Sequence, residues 1–104
     1  MKKPGLQKEQ TFSQEEITEM RREAGKWLKT LREARSYSQS ELQRLIVPHL
    51  RTKYVSLIEH GRQIVMPEDM EAWARALGVE PKYVARNLLK FYNPLVYRFI
   101  FDEH

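Results

Sequence analysis

Apolar positions recur at spacings of three and four along most of the chain, the period of a helix that buries one face. The first such run opens at Ser13. Ile17, Met20, Ala24, Leu28 and Leu31 make one apolar line, Ser13 stands where a cap belongs, and Glu16 three residues on completes a capping box. This helix should close near Arg35 or Ser36. Gly25 interrupts it at a cost of about 1 kcal/mol against Ala, which predicts a bend or break. Trp27 lies off the apolar line, free to cover a second surface.

Four shorter patterns follow. A second helix should run from Gln39 to about Ile46, capped by Ser38, with Leu42, Leu45 and Ile46 inward. Pro48 blocks its continuation, because the residue before a proline is pushed out of helical geometry. A third should span 52–60 with only Val55 and Ile58 inward and Gly61 as a left-handed stop. The fourth opens after Pro67, sets Glu68 and Asp69 against its positive end, and buries Met70, Trp73, Ala74 and Leu77 before Gly78. The fifth starts near Pro81 and packs Val84, Leu88 and Leu89, with Tyr83 and Phe91 as further candidates. The closing "FYNPLVYRFIF" reads two ways: Asn93–Pro94 is a cap and first helical residue, and the same letters suit an aromatic strand. The helix is the preferred reading. The expectation is therefore an all-α domain of five helices, with a long first helix and a short aromatic C-terminal segment.

Composition narrows the class. A chain of 104 residues is one domain by length, here 13–104 after a flexible basic arm over 1–12 that carries Pro4 and Gly5. There is no Cys, and the three His, at 49, 60 and 104, lack partners three or four residues away, so no metal site and no cofactor are expected. No apolar run approaches a membrane span, and the opening "MKKPGLQKEQ" has no apolar core for a signal peptide. The expected location is the cytoplasm. Glu15, Glu16 and Glu19 are a helix N-terminus rather than paired catalytic acids, and Glu59–His60 reads as a helix end. With no phosphate loop and no nucleophile arrangement, an enzyme is not expected.

Net charge is +4, with a pI near 9.5, a weak pointer to a polyanionic partner. Its distribution says more. Between Arg44 and Arg62 the charged residues are Arg44, Arg51, Lys53, Glu59 and Arg62, and Glu68, Asp69 and Glu71 follow directly. The third helix has few apolar residues, so most of its surface is free, and Arg51, Thr52, Lys53 and Ser56 gather at its start. Unpaired N–H groups and the helix dipole favour anions there. A helix of this size fits the major groove of B-DNA, where Lys reaches guanine acceptors and hydroxyls reach several base edges.

The stretch "GKWLKTLREARSYSQSELQRLI", the block "RTKYVSLIEHGR" and the closing "MEAWARALGVEP" together resemble the lambda-repressor and Cro type of helix-turn-helix, the xenobiotic-response-element-like family. The resemblance covers about residues 25 to 85. It implies a DNA-binding transcriptional regulator, most simply a dimeric repressor, with the helix over 52–60 in the major groove of double-stranded DNA. It implies that Thr52, Lys53, Ser56 and Leu57 face bases. Gln39 would contact a phosphate and brace the recognition helix, and Arg62, with Arg44 and Arg51, would contact the backbone. Three positions depart from the family pattern. Gln43 stands where a small residue is common, which predicts looser packing near the turn. The segment "VPHLR" is longer than usual. Leu57 replaces a polar base reader and would meet a thymine methyl.

A domain this small needs a second copy to read a full operator, and the aromatic tail is the candidate for holding it. Tyr92, Leu95, Val96, Tyr97, Phe99, Ile100 and Phe101 crowd into ten residues, more than one small core buries. In the opposing reading the tail folds back on helices one and five, with Trp27 as its partner. Two other functions stay open: an antitoxin-like module whose main partner is another protein, and binding of structured RNA by the same basic helix.

Overall fold

A computed structural model describes residues 12–102, so the expected arm lies outside the described residues except for Phe12. The first helix, α1 (Gln14–Ala34), starts where its capping box puts it. The Glu16 N–H donates to Ser13 Oγ (3.0 Å), and the Ser13 N–H donates to Glu16 Oε1 (2.7 Å). The helix runs unbroken through Gly25, against the expected break. Gly25 is buried against the third helix, and a Cβ there would lie 2.3 Å from the Glu59 carbonyl oxygen and 2.6 Å from that of Ile58. The glycine serves a close helix crossing.

The chain continues as α2 (Gln39–Ile46), α3 (Tyr54–Glu59), a single 3-10 turn (Pro67–Asp69), α4 (Met70–Leu77), α5 (Pro81–Tyr92) and α6 (Pro94–Phe101). The five predicted helices are present, and the tail forms a sixth. Among the described residues there is no strand, and no helix is long and apolar enough to cross a membrane. Ser38 and Glu41 repeat the capping box at α2 (3.0 and 2.7 Å). Gly78 closes α4 with a left-handed φ of 74°. Pro81 and Pro94 open α5 and α6 at positions where a missing N–H costs nothing.

Leu28, Leu42, Val55, Ile58, Val65, Trp73, Val84 and Leu88 are fully buried, so all five expected helices feed one core. Trp73 at its centre satisfies its indole N–H on the Tyr54 hydroxyl (3.0 Å), which ties α4 to α3. Burial raises the Tyr54 phenol above its usual pKa. Leu45 corrects the expected inward set: it is 54% exposed. Leu42 and Ile46, four apart, define the buried side of α2, and Leu45 turns aside to a shallow cleft beside Ala72 and Ala76 of α4.

Trp27 packs against Tyr83 and Phe91 of α5, with ring centroids 5.6 and 6.1 Å away. Both of these rings belong to α5, and Phe91 is also the first residue of the closing aromatic stretch. The tail itself divides. Tyr97 and Phe101 stack on each other (4.7 Å) beneath Lys90 and Arg86 of α5, whose cations lie 5.7 and 4.8 Å from the respective ring centroids. Phe99 (73% exposed), Ile100 (60%) and Val96 (41%) face outward.

Candidate nucleic-acid interface

The corner between α2 and α3 is longer than a tight turn, and one side chain holds it. Gln43, from the middle of α2, donates from Nε2 to the Thr52 carbonyl (2.6 Å) and, more weakly, to that of Leu50 (3.4 Å). Its Oε1 accepts from the Val55 N–H (3.1 Å). That N–H is one of the orphan donors of the first turn of α3, and Lys53, the N-cap residue, supplies no side-chain cap of its own. The corner is therefore stapled by Gln43 rather than loosened by it. The same contact sets the helix start: α3 begins at Tyr54, not at Thr52, whose carbonyl is held outside the helix. Helix α3 thus spans six residues, and one of the N–H groups expected to face an anion already serves Gln43.

A second network fixes α3 from the other end. Glu59 is buried, and its carboxylate accepts from Arg32 Nε (2.6 Å), Arg32 Nη2 (3.0 Å) and Gln39 Nε2 (2.8 Å). Arg32 Nη1 also donates to the Tyr37 carbonyl (2.7 Å). The hydrogen bonds to Glu59 push the guanidinium pKa further above its already high value. One cluster thus joins α1, the start of α2 and the end of α3. The bracing role expected of Gln39 is present. Its amide carries two N–H donors, and one of them is engaged by Glu59.

On this frame the predicted contact residues divide. Gln39, Arg44, Arg51, Thr52, Lys53 and Ser56 line one polar concavity of about 390 Å³ between α2, the corner and α3. Arg44, Arg51, Thr52 and Lys53 are exposed, and Ser56 is half-buried. Leu57 lies outside the concavity and is half-buried, its backbone N–H bonded to the Lys53 carbonyl (3.0 Å). Arg62 is exposed beyond α3, past Gly61. Gly61 takes φ of 78°, and a Cβ there would come within 2.8 Å of the Arg22 backbone. The His60 Nδ1–H donates to the Ser56 carbonyl (2.8 Å), a local helix-end contact.

The expected tail residues are spread differently. Tyr92 ends α5, and its hydroxyl accepts from the Val65 N–H (3.1 Å). Tyr97 and Phe101 face α5, Leu95 is half-buried, and Val96, Phe99 and Ile100 are exposed.

Sequence reading missed Arg32, Glu59 and Gln43 as organisers of the site. A signal existed for one of them. Arg32 continues the line Ala24, Leu28 at a spacing of four, a buried register that a charge occupies only with a partner. Nothing local marked Gln43, whose three bonds all go to the corner that follows.

The sequence model of a family described as helix-turn-helix matches residues 28–84, more than half of the chain. No curated protein and no solved structure matches the chain.

Proposed function

The chain belongs to the helix-turn-helix family of DNA-binding regulators of the Cro/C1 type, and from that premise we propose that it is a sequence-specific transcriptional repressor acting as a homodimer on nucleoid DNA in the cytoplasm. In this reading α3 and the corner before it enter the major groove. Thr52, Lys53 and Ser56 reach base edges, and Leu57 meets a thymine methyl at the margin. The backbone is held by Arg44, Arg51, Arg62 and the second N–H of Gln39. The observation that carries the reading is the gathering of Gln39, Arg44, Arg51, Thr52, Lys53 and Ser56 around one concave polar face.

Two single variants separate reading from holding. Lys53→Ala should relax preference at one base step and cost about 1–3 kcal/mol on the preferred site. Arg62→Ala should weaken all sequences nearly equally and lower the salt slope by about 1 for each subunit bound. Identical behaviour of the two variants across sequences would remove Lys53 as a base reader. A second reading, an antitoxin-like protein-interaction module, draws on the outward face of α6. It requires Phe99→Asp to abolish binding of another protein while leaving DNA affinity intact.

A further inference from the structure

Helix α1 carries an exposed line of basic side chains that begins before the family match and runs into it. Arg22, Lys26 and Lys29 recur at spacings of four and three, and so share one strip of the helix. Glu16, Glu19 and Glu23 make a neighbouring strip at spacings of three and four, and those three acids border Met20 and Phe91, on the side of α5. The basic strip lies on the other side, where Arg22, Lys26 and Lys29 line a concavity of about 250 Å³ with Gln39, Glu59 and His60. The acid in that concavity is already neutralised, since Glu59 is held by Arg32 and Gln39.

We infer that this strip of α1 is a second phosphate-contact site, which extends the DNA footprint beyond the helix-turn-helix along one strand. The inference rests on the DNA-binding reading above. Position is the first support. Arg22 sits beside Gly61, one residue from Arg62, and Lys29 shares a concavity with Gln39, so the strip joins two of the expected backbone contacts. Length is the second. From Arg22 to Lys29 the helix rises about 10 Å, which spans about three phosphates of one strand along the duplex axis. The cations do have acidic neighbours: Arg22–Glu19 (2.6 Å), Lys26–Glu23 (3.3 Å) and Lys29–Glu33 (4.0 Å). All three pairs are exposed, and pairs of this kind hold their partners weakly, so a phosphate competes for the cations.

The test uses the full chain and a labelled duplex of random sequence, with affinity followed against salt. The triple variant Arg22→Gln, Lys26→Gln, Lys29→Gln should reduce the slope of log K against log salt by about 2–3 for each subunit bound, at about 0.9 per phosphate. Its ratio of affinities for preferred and random DNA should stay at the wild-type value, unlike that of Lys53→Ala. A companion variant, Glu19→Gln with Glu23→Gln, frees the cations and should tighten binding to random DNA, so the outcome does not hang on one substitution. Wild-type slope and affinity in both variants would overturn the strip and leave the helix-turn-helix reading standing. A wild-type chain whose DNA affinity ignores salt would overturn both.

Discussion

Gly25 and the Arg32–Glu59 pair show how much single positions decide here. By helix propensity alone, Gly25→Ala should stabilise α1 by about 1 kcal/mol. The Glu59 carbonyl 2.3 Å from the added Cβ reverses that sign. The carbonyl is backbone, so α3 must move away from α1, and overpacking of this kind costs about 1–3 kcal/mol. Thermal melting of Gly25→Ala should therefore fall below wild type, with DNA affinity falling as α3 is displaced. A higher melting temperature would contradict the crossing. Arg32→Ala leaves the Glu59 carboxylate buried with only Gln39 as donor, a loss of about 3–5 kcal/mol by denaturant unfolding. The double variant Arg32→Met, Glu59→Leu removes both charges and should be less damaged than Arg32→Ala. Equal damage would mean that the ion pair is not what holds the site.

At the scale of elements, the Ser13 capping box, the Ser38 cap, the proline starts and the Gly78 stop were legible in the sequence because each depends on residues within four positions. Val55 and Ile58 were legible for the same reason. The misreadings share a different cause. Whether Gly25 breaks α1, whether Leu45 faces inward, and where α3 begins are settled by contacts between elements, which spacing along one helix does not encode. Gln43 is the clearest case, because its partners, Leu50, Thr52 and Val55, lie seven, nine and twelve residues on. Gln43→Ala should leave the Val55 N–H and the Thr52 carbonyl unpaired, a cost of about 1–3 kcal/mol for a buried group and less where water reaches it. Base preference should loosen along with stability, and an unchanged binding motif in this variant would show that the corner holds its register without Gln43. The α2 cap makes a separate prediction with pH. The backbone N–H of Ser38, and then its hydroxyl, hold the Glu41 carboxyl below its ordinary pKa. Its contribution is therefore complete above the unfolded value near 4.3 and is lost as pH falls through the depressed folded value. Acid unfolding of Glu41→Gln should accordingly be less steep than that of wild type between about pH 5 and pH 3, and an identical profile would deny the box its charge.

For the molecule as a whole, the two faces are chemically separate. One gathers Arg44, Arg51 and Lys53 around the corner, and the other, on α6, presents Val96, Phe99 and Ile100 to solvent. The proposed dimer uses the second face to set the spacing of the first. Because Phe99 is 73% exposed, Phe99→Asp should leave the fold intact. It should also yield a monomer in sedimentation, with much weaker binding to a full operator. A wild-type chain that sediments as a monomer at micromolar concentration, with and without DNA, would exclude the dimer. Selection of bound sequences from random duplex DNA should enrich a palindrome with half-site centres one helical turn apart, ~34 Å. Recovery of no motif, with random duplexes held as tightly as selected ones, would contradict the proposed sequence-specific repressor.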